Sequence, residues 1–330
     1  MRRWLRRLGL GFVVLALLGG AGAWQALRLY HAPGPLAEPT NVVVQRGGTE
    51  AIAASLLKAG VIADGRSFTA AAWATRGQGP LHAAEFAFPA GASLEQVLAV
   101  LRSAKPVQHR LTIPEGLTAR QIAALVRDAA GMTGEINAPE EGSVLPETYA
   151  YQWGDDRGAL LRRAQGAMTQ VLKKAWAERA EGLPLASPRE ALVLASIVER
   201  ETSVPAERPH VAAVFLNRLK RGMPLQSDPT VAYAATDGGV LDRPLSRADL
   251  ERDHPFNTYR NRGLPPAPIA SPGIASLRAV TQPMASDDLY FVADGSGGHA
   301  FARTLDEHNR NVARWRDIER RRGDKAEVGR

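Results

Sequence analysis

From residue 8 to residue 27 the chain runs without a charge, LGLGFVVLALLGGAGAWQAL. A helix of about 20 residues at about 1.5 Å rise spans about 30 Å, the thickness of a bilayer's hydrocarbon core. Arg2, Arg3, Arg6 and Arg7 precede this run and predict that it enters from the cytoplasmic side, with Trp24 and Tyr30 at the far interface. The pattern therefore predicts a cytoplasmic tail over 1–7 and a transmembrane helix over 8–28. Ala21-Gly22-Ala23 looks like a signal-peptide cleavage site, so a cleaved leader is the alternative. The length of the apolar run favours the uncleaved anchor, and both readings export the remainder.

Beyond a Pro-rich linker over 29–40, short β-branched runs alternate with amphipathic stretches through about residue 130. Strands are expected at 41–45, 85–88 and 108–113. Helices are expected at 50–59 with Thr49 as N-cap, at 66–75, after Ser93, and from Thr118 to about 127. Strand, turn, capping hydroxyl and helix thus occur twice, which suits a binding or spacer region over 41–130. A loop-rich connection covers 131–157.

From 158 to 330 a 3.6-residue period dominates. Long helices are expected at 159–179 and from Ser187, which has Pro188 at N1 and Glu190 at N3. Asp228-Pro229, Ser246 with Asp249, Ser271-Pro272 and Thr304 with Glu307 read as further helix starts. Two strands at 289–293 and 299–303 flank DGSGG, a hairpin signal. The fold class is α+β, with a mainly helical C-terminal part carrying one β-hairpin.

Candidate chemistry concentrates in LVLASIVERETS, residues 192–203. Leu194, Ile197, Val198 and Glu201 fall at i, i+3, i+4 and i+7, so Glu201 ends an apolar stripe. Glu199 points about 200° away, so the two carboxylates do not face each other. A carboxyl desolvated at such a position is held protonated towards neutrality, as a general acid requires. Periodicity alone leaves open an ordinary solvated helix end. Downstream, Asn217, Arg218, Gln226, Ser227 and Asp228, and later Asn257, Thr258 and Tyr259, supply amides, hydroxyls, charged groups and an aromatic on Pro-rich loops, with Asn217, Gln226, Asp228, Asn257 and Tyr259 as the candidate sugar contacts. Such a set suits a sugar, although Asp228 also fits a helix cap and Tyr259 a core position.

The bulk properties narrow the classes. The 41 basic and 34 acidic residues give a net charge of +7, and there are no cysteines. Thiol catalysis, disulfides and cysteine zinc sites are excluded. The basic residues gather at the two ends, with no aromatic-interleaved patch between, so nucleic acid is not an expected partner. His254, His299 and His308 lack metal-binding spacing, and no nucleophile elbow or P-loop occurs. Neither metal nor cofactor is expected.

ASIVERET, VFLNRLKRGMPLQSDPTV, LSRADL, NTYRNRGLPPAPIASPG and LYFVADGSGGHAFARTLDEHN, in that order, closely resemble the endolytic murein transglycosylases, the YceG-like family. TIPEGLTARQIAALV and LPETYAYQWG add to the resemblance, which covers nearly the whole chain. It implies LysM-like α+β modules, a lysozyme-like catalytic domain over 158–330, and a single-pass inner-membrane enzyme facing the periplasm. The implied substrate is the peptidoglycan glycan strand, cut internally to leave 1,6-anhydro-muramyl ends, with peptidoglycan synthases as candidate partners. A non-catalytic peptidoglycan-binding scaffold is the competing expectation. The family's E-x-E-T motif assigns catalysis to Glu201 and leaves Glu199 secondary. Ala84, where the family tends to have glycine, and Glu147, where aspartate is more usual, are departures outside that motif.

Overall fold

A computed structural model describes residues 2–328 of the chain, with side chains described for residues 10–321. The side chains of Arg2, Arg3, Arg6 and Arg7, and the topology expected from them, lie outside the described residues. Contacts divide the chain into two compact units. Unit 1 comprises Met1–His109, Ala130–Met132 and Ala150–Asp155; unit 2 comprises Arg110–Ala129, Thr133–Tyr149 and Asp156–Arg330.

Unit 1 opens with α1 (Arg2–His31), followed by β1 (Thr40–Val43), α2 (Thr49–Lys58), α3 (Gly65–Ala74), β2 (Glu85–Phe88) and α4 (Leu94–Ser103). β1 and β2 pair antiparallel, from Thr40 opposite Phe88 to Val43 opposite Glu85. Val42, Ile52, Leu56, Phe68, Phe86, Phe88 and Leu98 close a core beneath this ladder. Ser93 and Gln96 form the capping box of α4, each side chain bonding the other's backbone N–H. Thr49 is not the cap expected of it. Gly47 turns at φ +154, the helix starts one residue earlier than expected, and Gly48 is the N-cap. The Pro-rich segment is no free linker either. Gly34 N donates to Gly91 O (3.1 Å) and Gly91 N to Leu36 O (2.7 Å), and a Cβ on Gly34 would lie 2.3 Å from Ala92 O.

β3 (His109–Thr112) and β4 (Thr148–Tyr151) form a second two-stranded sheet. β4 falls in the stretch expected to be loop; four residues bounded by turns give too short a pattern to read. Thr118 and Gln121 form the capping box of α5 (Ala119–Arg127). This helix belongs to unit 2.

The remainder of unit 2 runs α6 (Arg157–Ala177), α7 (Pro188–Glu201), α8 (Arg208–Lys220), α9 (Asp228–Thr236), α10 (Arg247–Glu251), α11 (Ile274–Thr281), β5 (Tyr290–Ala293), β6 (His299–Ala302) and α12 (Leu305–Val328). Helix α7 is central, packed by α6, α8, α9 and α11. Every residue from Ala191 to Val198 is buried. The apolar stripe read from sequence is therefore one side of a helix enclosed all round, with Phe215, Leu216, Leu277 and Val280 in the same core. Ser187 caps α7 as expected, accepting from Glu190 N. Two other starts shift. Ser227, not Asp228, is the N-cap of α9. Gly273, not Ser271, precedes α11, because the backbone of Ser271 bonds Leu117 O and Gly116 N.

Candidate active site

Helix α7 stops at Glu201 because Thr202 turns to extended backbone, φ −133 and ψ 133. That leaves the Glu201 side chain at the helix mouth, part-buried. The N-cap position of α9 brings a partner to it: Ser227 Oγ donates to Glu201 Oε2 at 2.8 Å. Ser227 is wholly buried and is itself held, its N–H donating to Thr258 Oγ1 at 3.0 Å. Thr230 Oγ1 meets the same hydroxyl at 2.8 Å. The preceding residue, Gln226, is exposed and sits at φ +50, where a side chain costs about 1–2 kcal/mol. Gln226 N donates to Thr258 O, so this strained backbone is pinned next to the acid.

Burial is the main influence on Glu201 and pushes its pKa up to about 7; the charge of Asp228 adds to the rise. The Ser227 hydrogen bond, His299 and Arg218 act against it. Asp228 is exposed, and its Oδ1 accepts from Tyr259 OH at 2.6 Å. Burial and the Asp228 carboxylate raise the phenol of Tyr259 well above its usual value.

Two further groups lie around Glu201. Arg218, on α8, is buried and donates from Nε to Leu289 O and from Nη1 to Leu225 O, both at 2.6 Å. It thereby ties α8 to the residue that leads into β5 and to the loop before α9. Glu207 accepts from His299 N at 2.8 Å, while His299 Nδ1 lies 2.7 Å from its other oxygen. Thr202 Oγ1 donates to that same oxygen at 3.3 Å. Burial works to raise the pKa of Glu207, but its bonds with His299 outweigh it and the carboxyl is held low. The residue after the acid and the first residue of β6 thus share one carboxylate.

The other sequence candidates have different placements. Glu199 lies across the helix from Glu201, its Oε1 accepting from Arg208 Nη2 and its Oε2 from Gly273 N, each at 2.8 Å. Arg208 also reaches Glu115 at 3.2 Å, so Glu199 locks the 114–117 loop and the start of α11 onto α7. Asn217 Nδ2 donates to Ser286 O and Asp288 O. Asn257 has no exposed surface, and its Nδ2 is shared among Asp249 O, Leu250 O and Arg252 O. Both amides brace loops. The structure brings together Glu201, Ser227, Asp228, Tyr259 and Gln226, and leaves Glu199, Asn217 and Asn257 in the frame. The sequence places Ser227 and Arg218 in the polar set without assigning either a role, and gives no signal for Glu207 or for His299 beside the acid.

Ser286, His210 and Asp288 also cluster, but Ser286 Oγ (3.3 Å) and Asp288 Oδ2 (2.7 Å) both meet Nε2 of His210. A nucleophilic triad needs the two partners on opposite ring nitrogens, so this trio is a strut. Among the described residues no group of three or more His, Asp or Glu side chains is placed to hold a metal ion.

A family profile described as the YceG-like family matches residues 42–314. The chain belongs to the YceG-like family. That match takes in Glu201 and the residues placed around it. The endolytic murein transglycosylase of Bacillus subtilis (strain 168) is 41% identical over 175 residues, covering 53% of this chain and 48% of the relative. That of Streptococcus pneumoniae serotype 2 (strain D39) is 31% identical over 253 residues, covering 63% of this chain and 45% of the relative. The chain thus spans about half the length of the curated relatives it matches. Among solved structures, the 2.6 Å crystal structure of a yceG-like protein from Listeria monocytogenes covers 83% of this chain and 98% of its own. That likeness has a TM-score of 0.53 at 27% identity.

Proposed function

We propose that this chain is a membrane-anchored lytic transglycosylase that cuts peptidoglycan glycan strands internally. The observation that carries the reading is a desolvated acid with no ion pair among the described residues, Glu201, its pKa raised to about 7 and its carboxyl held by a neutral hydroxyl. The relatives named as endolytic murein transglycosylases support it. Protonated Glu201 donates its proton to the oxygen of the β-1,4 bond between N-acetylmuramic acid and N-acetylglucosamine. The C1–O bond breaks with oxocarbenium character. The resulting Glu201 carboxylate takes the proton from the muramyl C6 hydroxyl, whose oxygen bonds to C1 and closes a 1,6-anhydro ring. The nucleophile belongs to the substrate, so the two-carboxylate arrangement of hydrolytic glycosidases is not needed. Gln226, Asp228 and Tyr259 line the approach and position the sugars.

The apolar stretch Leu10–His31, long enough to cross a bilayer, serves as a single-pass inner-membrane anchor, with the arginines before it cytoplasmic and the chain beyond it periplasmic. The order β1–α2–α3–β2 with its antiparallel pair supports a LysM-like reading of unit 1, which holds glycan. Unit 2 is the lysozyme-like catalytic part. Internal cutting releases growing strands, which makes a strand-extending synthase the natural partner.

Mass spectrometry of glycan strands digested by the full chain in detergent tests this. Anhydro-muramyl ends, absent with Glu201→Gln, are the expected products. Reducing ends, one water heavier, would instead identify a hydrolase, with Asp228 as the second carboxylate. No cleavage would identify a binding scaffold.

A further inference from the structure

Unit 1 holds an apolar cleft that its own core does not fill. α1 packs on α4, and Tyr30 and Leu36 lie against the core. Between α1 and α3 a cavity of 420 Å³ stands open, lined by Ala26, Leu29 and Tyr30 on one side and Ala70, Ala71 and Ala74 on the other. Its size falls within the range of about 300–1,000 Å³ common for small-ligand pockets. Among the described residues no charged side chain lines it.

The nature of one wall identifies what fills the cleft. Ala26, Leu29 and Tyr30 belong to Leu10–His31, whose apolar window the protein leaves unburied. Whatever surrounds that helix therefore also borders the cleft. The uncharged run of 20 residues over 8–27 extends about 30 Å at about 1.5 Å each, matching about 30 Å of hydrocarbon, so the turn that follows it reaches the interface. α3 stands across the cleft from that end, at the same depth. The helix cannot swing away: besides the Gly34–Gly91 pairing, His31 Nδ1 lies 3.0 Å from Glu95.

The exposed aromatics agree with this placement. Trp24 on α1 is 59% exposed and Trp73 on α3 is 68% exposed. Each lies beneath an arginine, Arg28 at 4.9 Å and Arg76 at 4.4 Å. Tryptophan rings and snorkelling arginines are side chains favoured at a bilayer's headgroup level. A tryptophan so exposed has no role in the core of unit 1.

We infer that the α1–α3 cleft takes a phospholipid acyl chain from the surrounding bilayer, seating α3 at the membrane interface with Trp73 among the headgroups. This rests on the anchor reading above. It makes the small module a membrane-seated base and not a domain hanging from a linker.

The chain has no native cysteine, so Leu17→Cys and Ala70→Cys can each carry one fluorophore in the full chain. The proteins are reconstituted in phosphatidylcholine–phosphatidylglycerol vesicles with plain or brominated acyl chains. Bromine should cause a loss of intensity at both positions. Because a label at position 70 alters the cleft, a second measurement leaves it intact: Trp73→Phe should reduce the bromine-dependent loss of intrinsic fluorescence. Loss at position 17, with none at 70 and no effect of Trp73→Phe, overturns the inference and leaves the anchor standing. No loss at position 17 overturns the anchor itself. Loss at position 70 that disappears on diluting the protein in lipid, irrespective of bromine, shows a second copy covering the cleft and also overturns the inference.

Discussion

Replacing Glu201 with glutamine should abolish turnover and, at alkaline pH, stabilise unit 2. Burial raises the Glu201 pKa from its ordinary 4.5 to about 7. At about 1.36 kcal/mol per pKa unit, that difference is about 3 kcal/mol. Between these two values the folded state holds a proton that the unfolded chain has lost, so stability falls as pH rises. Below pH 4.5 the group is neutral in both states and contributes no penalty; above about pH 7 the penalty is complete. Glutamine keeps the shape, still accepts from Ser227 Oγ, and carries no charge to desolvate. The variant should therefore match the wild type near pH 4 and exceed it by up to about 3 kcal/mol near pH 8.

Amide hydrogen exchange across α7 reads this directly, with wild type and variant compared at the same pH. A gain of about 3 kcal/mol corresponds to about a hundredfold greater protection, wherever exchange requires opening of the unit. The wild-type rate of glycan cleavage should fall on the alkaline side of about pH 7, because the acid must begin protonated. Equal protection at pH 8, or a gain of the same size at pH 4, would refute the assignment of a desolvated acid.

Other substitutions separate the acid from its frame. Ser227→Ala removes the bond that favours the carboxylate, so the alkaline limb of the rate profile should move to higher pH while the rate falls; pH–rate profiles check both. Arg208→Ala leaves Glu199, whose side chain is 4% exposed, without its cation and should cost about 3–5 kcal/mol in denaturant unfolding. Adding Glu199→Gln should recover much of that loss. Gln226→Gly relieves the positive φ but loosens the unfolded chain, so stability should stay within about 1 kcal/mol. Cleavage should still drop if its side chain positions sugar, as a paired unfolding and activity measurement would report.

The parts of the fold that were legible are those decided locally. Ser93, Thr118, Ser187 and Ser246 cap the helices they precede, because a capping bond spans three residues and depends on little else. Thr49 and Ser271 failed where glycine geometry or a distant backbone pairing reset the start. Spacing gave the directions of Glu199 and Glu201 correctly but not their surroundings. The amide meeting Glu199 comes from Gly273, 74 residues on; the hydroxyl meeting Glu201 comes 26 residues on. Asn217 and Asn257 were read as sugar contacts because an amide suits a hydroxyl, yet it suits a backbone carbonyl equally well. Only the packing shows which partner each one has.

Burial cannot be what distinguishes the two glutamates, since it works to raise both pKa values. Their partners distinguish them. Glu199 meets a guanidinium and a backbone N–H, partners that favour its carboxylate and fix it in place, although burial still leaves its pKa above the ordinary value. Among the described residues Glu201 has no ion pair, only a neutral hydroxyl. A cation does lie close, but the Nε and Nη1 donors of Arg218 go to Leu289 O and Leu225 O. Its charge lowers the Glu201 pKa only modestly, behind burial, the Ser227 bond and Asp228. A guanidinium free to fork onto Glu201 would fix it as a carboxylate and remove the proton the reaction needs. The carbonyls of Leu289, just before β5, and of Leu225, in the loop before α9, are therefore part of the acid's chemistry: by occupying Arg218, they leave Glu201 able to carry a proton near neutral pH.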